Sequence, residues 1–120
     1  MNITNLVLLP ATIYGIPSGN YNGQSTTFVG NAVPAANYYM GQGTVQTVPV
    51  VQVDLRATVT LQATLNDQPE QAAWFDVSTV GNVANAQTAT STITAVGNFV
   101  WLRARVDNFT AGTVSARAIY

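Results

Sequence analysis

The strongest constraint in this sequence is a strict alternation of apolar and polar residues from Val53 to Leu65. The apolar members of this run are Val53, Leu55, Ala57, Val59, Leu61, Ala63 and Leu65. The polar members are Asp54, Arg56, Thr58, Thr60, Gln62 and Thr64. Because successive side chains of a β-strand point to opposite faces of a sheet, the run predicts one strand with a dry face and a wet face.

Other β-prone segments surround this strand, and no window of the chain has the apolar spacing of an amphipathic helix. Shorter strands are predicted at Leu6–Leu9, Thr26–Val29, Thr44–Val51, Thr88–Val96, Phe99–Asp107 and Gly112–Tyr120, with a short apolar segment at Ala72–Val77. Turns or loops are predicted at Tyr14–Gly23, Asn66–Pro69, Gly81–Asn85, Gly97–Asn98 and, as a hairpin, Asn108–Ala111. Pro49 has no N–H to donate, so it predicts an edge strand or a bulge.

Several short strands separated by Gly/Asn turns are typical of an antiparallel β-sandwich. We therefore predict an all-β protein with a jelly-roll-like sandwich of about seven or eight strands. Two amphipathic sheets bury each other's apolar faces without any helix. A length of 120 residues suits one domain. Residues 1–120 are predicted to form it, with residues 1–43 as a loop-rich, arm-like part.

The composition excludes most catalytic mechanisms, because the chain contains no His, Lys or Cys. The usual bases and thiol nucleophiles are therefore missing, and so are the common ligands of zinc and copper. We expect no enzymatic activity, no catalytic residue, no metal site and no cofactor. A small hydrolase that works through Asp76, the acid beside Trp74 and Phe75, is the enzymatic alternative.

Charge is scarce and unevenly placed. The chain has four basic and five acidic side chains, all between Asp54 and Arg117, and its net charge is −1. This balance argues against a nucleic-acid partner. A neutral surface suits contact with another protein, since burying a charge costs desolvation. The alternative is that the low charge reflects the fold alone, because an all-β chain is naturally rich in Thr and Asn.

Asp54 and Arg56 are predicted to form a surface ion pair.

The N-terminal residues carry no targeting signal that we recognise. No basic residue precedes the apolar run Leu6–Leu9, which is too short for a signal peptide or a membrane span and stops at Pro10. We therefore expect synthesis in a host cytoplasm and no membrane partner.

The predicted strand Phe99–Asp107 and the two residues after it have two different faces. Val100, Leu102, Ala104 and Val106 form a small aliphatic face that we assign to the core. The other face carries aromatic and charged side chains: Phe99, Trp101, Arg103, Arg105, Asp107 and Phe109. Aromatic residues and Arg are enriched at protein interfaces and their hot spots, so these six are candidate interface residues. An ordinary exposed face, or a core position for Trp101, is the alternative.

Two further aromatic clusters stand out, Tyr38–Tyr39 and Trp74–Phe75. Tyr38 and Tyr39 are added to the candidate interface residues. Exposed aromatic rings also stack on sugars, so a lectin-like or carbohydrate-binding module is a second hypothesis. Packing in the core is the ordinary use of such rings.

Several segments resemble small virion proteins of tailed bacteriophages. They are Tyr14–Tyr21, Gln62–Leu65 followed by Pro69 and Trp74–Phe75, Gly97–Ala104, and Asn108–Val114. In those proteins a strand, a turn, a Trp-Phe pair and a final Asn-Phe/Tyr-x-Ala-Gly-Thr hairpin recur in that order. The resemblance implies a β-sandwich present in many copies on a capsid or tail. The shared residues are turn and core positions, so it transfers no binding residue.

The function implied is a capsid decoration (cement) protein without enzymatic activity. Its expected location is the virion, and its expected partners are the major capsid protein, other virion proteins or further copies of itself. A place in the tail, neck or fibre is the close alternative.

Overall fold

A computed structural model describes residues 5–35, 45–65, 73–97 and 99–120. These residues form six β-strands and no helix, so the all-β prediction is confirmed. No helix among them is long and apolar enough to cross a membrane. The strands are β1 (Asn5–Ile13), β2 (Phe28–Val29), β3 (Val33–Pro34), β4 (Val45–Thr64), β5 (Phe75–Val96) and β6 (Trp101–Ile119).

The strands form one antiparallel sheet in the order β1-β6-β4-β5, and β6 is its organising strand. One edge of β6 pairs with β4 along nearly its whole length. Its other edge pairs with β1 near the C-terminal end and with the short β2 and β3 near the N-terminal end. β5 pairs with β4. The sheet is therefore built on three long neighbouring strands.

These long strands bend. β4 has 20 residues, which would span roughly 66 Å if straight, whereas the longest extent of the molecule is 40 Å. The registers of β4 shift twice between Gln52 and Ala57 against β5 and twice between Val53 and Thr58 against β6. Asp54 and Asn108 have positive φ angles of 49° and 54°. Such two-against-one bulges bend a strand and increase its twist.

The bulge in β4 exchanges the two faces of the strand. Even-numbered side chains are buried up to Gln52, and odd-numbered ones from Leu55 to Ala63 are buried after it. The predicted dry face is therefore confirmed in its middle and wrong at both ends, where Val53 and Leu65 are 45% and 63% exposed. The predicted wet face is wrong in part, because Thr60, Gln62 and Thr64 are also buried.

Two predicted breaks lie inside continuous strands. The loop Gly81–Asn85 belongs to β5, and the hairpin Asn108–Ala111 belongs to β6. Both predictions are wrong because Gly and Asn serve here as bulge residues: Gly81 and Asn108 take positive φ angles within the strand. Pro49 lies in central β4 without a register shift at that residue, so the edge or bulge prediction is wrong. The pairing with β6 keeps one register from Thr47 to Val50, across Pro49.

One hydrophobic core joins both ends of the bent strands. An aromatic group lies within it: Tyr21, Phe28 and Phe109 have ring centroids 4.9–5.7 Å apart. Residues 5–35 lie inside the predicted arm-like part, and they supply β1, β2, β3 and buried side chains such as Leu8. The rest of that part, residues 1–4 and 36–43, lies outside the described residues. The described N-terminal residues therefore complete the core.

Gly112 is expected to be intolerant of any side chain. Its φ is 91°, and an added Cβ would overlap the carbonyl oxygen of Asp54 and lie 2.6 Å from the Cα of Leu55. We expect Gly112→Ala to lower the free energy of unfolding by at least about 2 kcal/mol, measured by urea denaturation. Gly15→Ala is the matched control, because Gly15 has a φ of 88° with nothing within 4 Å of the added Cβ. Equal losses in the two variants would contradict the close approach.

Tyr120 ties the C-terminus to β3, since its hydroxyl donates a hydrogen bond of 2.7 Å to the carbonyl oxygen of Pro34. Desolvation by burial raises the pKa of Tyr120 above its ordinary value of 10.0. Folding therefore favours the neutral phenol over the phenolate. The contribution of the neutral Tyr120 to the free energy of unfolding is fully present below pH 10, and it is lost as the pH rises through the pKa of Tyr120 in the folded protein. We expect stability to fall in that alkaline range, and to fall less in Tyr120→Phe. Identical alkaline curves for the two proteins, from thermal melts between pH 8 and 11, would exclude this role.

Candidate interaction surfaces

A polar row crosses three neighbouring strands at one end of the sheet. Gln62 of β4 is the register partner of both Arg103 on β6 and Asp76 on β5. The Nε of Arg103 donates to Oε1 of Gln62 at 2.7 Å, and Nε2 of Gln62 donates to an oxygen of Asp76 at 2.9 Å. The amide thus uses both of its ends to link a cation to an anion.

Trp74 covers this row. The guanidinium carbon of Arg103 lies 4.3 Å from the centroid of the Trp74 ring, which is cation–π stacking. Desolvation by burial, followed by the nearby positive charge of Arg105, lowers the pKa of Arg103 from its ordinary value. We call Trp74, Asp76, Gln62 and Arg103 the Arg103 row.

The next position along β6 carries the single ion pair among the described residues. The Nε of Arg105 lies 3.1 Å from an oxygen of Asp107, and both side chains keep substantial solvent exposure. An exposed pair of this kind contributes about 0–1 kcal/mol. Arg105 and Asp107 therefore lie on the surface, as the alternation predicted, without holding the sheet together.

The remaining candidate residues take different positions. The core assignment is confirmed for Leu102, Ala104 and Val106, which are buried, and not for Val100, which is only partly buried. The outward placement of Phe109 is wrong, because the bulge at Asn108 turns its side chain into the core, where it is 0% exposed.

Two other candidates, Phe99 and Trp101, lie just before β6 and at its first residue. Phe99 precedes β6 and is only partly buried: it packs against the core, with its ring 5.7 Å from that of the exposed Phe75. Trp101 is half-buried beside its register partners Thr64 and Pro34. Tyr38 and Tyr39 lie outside the described residues.

A second surface lies beyond the bulges, where all four main strands turn a face to solvent. Cross-strand pairing links Val7 with Arg117, Ile13 and Val53 with Thr113, Val51 with Thr90, and Val45 with Val96. We call it the Val/Thr face, and its members are Val7, Ile13, Val45, Thr47, Pro49, Val51, Val53, Thr90, Thr92, Thr94, Val96, Thr113, Ser115, Arg117 and Ile119.

This face combines aliphatic and hydroxyl side chains and is nearly free of charge. Six of its aliphatic side chains are among the exposed large hydrophobic residues, namely Val7, Ile13, Val45, Val51, Val53 and Val96. Arg117 is the one charged member, and it donates a 3.3 Å hydrogen bond to Asn5. Exposed aliphatic side chains grouped on one face mark a contact site more often than scattered hydrophobic residues do.

The acidic candidates for chemistry lie apart from one another. Asp54 is in the β4 bulge, where its carboxylate accepts a 3.3 Å hydrogen bond from the Thr88 hydroxyl. The predicted ion pair with Arg56 is wrong, because the register shifts on both sides of Leu55 remove the shared face. Asp76 is exposed. In the described part of the chain no acidic group is arranged as a metal site, and no pocket is found.

Comparison with protein-family models, with curated proteins and with solved structures found no match for this chain.

Proposed function

We propose that this protein is a structural component of a tailed-phage particle, a capsid decoration protein that docks on the shell in many copies. The single observation that carries the proposal is the Val/Thr face. A four-stranded surface with six exposed aliphatic side chains and one charge is costly to leave in water. Contact with a neighbouring protein removes that cost, and the segments that resemble phage virion proteins support a neighbour in a phage particle.

Docking of this kind is passive. The Val/Thr face supplies apolar area, and many identical weak contacts on a lattice add by avidity. The Arg103 row offers a second, polar contact, because an Arg stacked on Trp74 keeps N–H groups for a partner's carboxylate. Placement in the tail, neck or fibre uses the same surfaces and differs only in the neighbour.

The fold proposed for this role is a sandwich of the jelly-roll type. The bulges of β4, β5 and β6 lie at the same level of the sheet, as the pairing of Leu55 with Gln87 and of Arg56 with Ala111 indicates. A sheet bent along one line brings the two ends of its long strands face to face. The single core shared by both ends supports this arrangement.

Mass spectrometry of purified particles tests the proposal. We expect peptides of this chain in many copies per particle, at a ratio to the major capsid protein that is fixed between preparations. Absence of the chain from intact particles, with the major capsid protein well covered, would overturn the proposal.

A carbohydrate-binding module is the second candidate, and the Arg103 row favours it. An aromatic ring beside an amide, a carboxylate and a guanidinium is a common combination in sugar-binding sites. Titration with a panel of sugars would then change tryptophan fluorescence in the wild type and leave Trp74→Phe unresponsive. Constant fluorescence with every sugar would exclude this candidate.

A further inference from the structure

The outer edge of β5 is the most unusual strand edge in the molecule. β5 has 22 residues and pairs with β4 along one edge. Among the described residues no strand pairs with its other edge. Natural edge strands are guarded by Lys, Pro or inward-pointing charges, yet Val77–Val96 contains neither a charged residue nor a proline. This edge is therefore open to pairing with another strand.

The regular part of that edge is its C-terminal half. Ala89–Val96 pairs with β4 residue by residue from Gln52 to Val45, without a register shift. Before it, the side-chain oxygen of Asn82 accepts hydrogen bonds from the N–H groups of Ala84 and Asn85 at 2.8 and 3.1 Å. The strand continues there, but its pairing with β4 is irregular between Asn82 and Gln87. Pairing of an added strand is therefore confined to about Thr88–Val96.

We propose that this edge binds the same edge of a second copy of the chain, with the two β5 strands antiparallel about a two-fold axis. A two-fold axis places each residue near its own copy, so every charge on such an edge would face a like charge. Val77–Val96 carries no charge, and the edge is therefore electrostatically compatible with itself. A different partner would find no charged group on this edge to select it.

The side chains that would lie opposite one another across the two β5 strands are also compatible with pairing. With the axis beside Ser91, Thr90 lies opposite Thr92 and Thr88 opposite Thr94. With the axis beside Thr92, Thr90 lies opposite Thr94. Thr–Thr pairs stabilise antiparallel strands through their methyl groups and hydroxyls. On the other face, Ala89 lies opposite Ile93 in the first register. In the second register, Ala89 lies opposite Ala95 and Ile93 lies opposite Ser91.

The dimer would join the two sheets into one, in the order β1-β6-β4-β5-β5-β4-β6-β1. The Val/Thr faces of the two copies would then form one continuous surface with the threonines at its centre. This inference rests on the proposed function and deepens it, because it names a contact between copies of the many-copy protein. The face remains available for the particle, since edge pairing does not cover it.

Analytical ultracentrifugation of the full chain over a range of concentrations tests the dimer. We expect a monomer–dimer equilibrium for the wild type. Thr92→Lys and Thr92→Glu each place like charges across the axis, and each is expected to weaken dimerisation by about tenfold or more. A mixture of the two variants is expected to recover the dimer. Recovery requires the two positions to be close in the complex, which a general loss of folding cannot mimic.

Thr47→Lys is the matched control. Thr47 lies on the same Val/Thr face, directly beside Thr94, but in β4 rather than at the edge. Edge pairing predicts that this variant still dimerises. Loss of the dimer in Thr47→Lys with retention in Thr92→Lys would assign self-association to the face and overturn edge pairing.

Hydrogen exchange gives a second readout. The amides of residues 88–96 whose N–H groups face away from β4 are expected to gain protection as the concentration of the protein rises. A wild type that stays monomeric at its highest soluble concentration overturns the dimer, whether or not these amides are protected. The proposed function and the dimer can fail independently. A purified protein that dimerises but is missing from particles would overturn the proposed function and leave the dimer in place.

Discussion

Replacing Phe109 by alanine is expected to lower the free energy of unfolding by about 3–5 kcal/mol. The Phe109 side chain is fully buried, and its ring contacts Tyr21 at 5.2 Å and Phe28 at 5.7 Å between centroids. An edge-on contact with Tyr14 at 5.5 Å completes the cluster. Truncation removes apolar area from the core and leaves a cavity that three neighbouring rings line. The described N-terminal residues and β6 would lose their main common contact.

Urea denaturation at equilibrium measures this loss. Phe75→Ala is the control, because Phe75 is 41% exposed and lies at the end of β5. We expect that variant to lose about 1 kcal/mol, in keeping with a partly exposed side chain. A Phe109→Ala protein as stable as Phe75→Ala would mean that Phe109 is not a core residue, and the bulge at Asn108 would then be misplaced.

Replacing Val51 by lysine is expected to weaken docking on the particle by about 100-fold or more. Val51 is exposed near the middle of the Val/Thr face, between Thr90 on β5 and Ser115 on β6. A lysine there would be buried without a partner when the face is covered. An uncompensated buried charge costs about 3–5 kcal/mol, and each 1.4 kcal/mol is tenfold in affinity.

Co-sedimentation of purified protein with particles that lack it measures this effect. Thr27→Lys adds the same charge at an exposed position between Tyr21 and β2, outside the face, and should leave docking unchanged. Both variants should keep the wild-type melting temperature within a few degrees, since both sites are exposed. Equal docking by Val51→Lys and the wild type would exclude the Val/Thr face as the contact surface.

The strands were predictable because alternation is a local signal with a strong physical cause. The dry positions Leu55–Ala63 and the aliphatic face of Leu102, Ala104 and Val106 follow directly from it. The bulges were not predictable. One extra residue in a strand exchanges its buried and exposed faces beyond that point. The bulges lie at Asp54 and Asn108, two residue types that tolerate a positive φ but do not require one, so the sequence does not mark the position of a bulge. Faces were therefore predicted wrongly beyond each bulge, as at Val53 and Phe109.

The candidate surfaces were predictable only in part. Arg103, Arg105 and Asp107 were identified, since their positions depend on one strand alone. Their partners were missed, because the link from Arg103 through Gln62 to Asp76 depends on the registers of β4 against both neighbours. The Val/Thr face had a weaker signal in the sequence, namely the charge-free first 53 residues together with the alternating threonines of Thr88–Thr94. Assembly of these segments into one face depends on long-range pairing.

Cryo-electron microscopy of the intact particle tests the central claim most directly. We predict density for this chain in many symmetry-related copies on the shell, with the Val/Thr face turned towards a neighbouring protein. The aliphatic side chains of that face, Val51 among them, should be covered by the contact. A particle map in which the chain is present but this face points into solvent, or in which no density fits the chain, would contradict the claim.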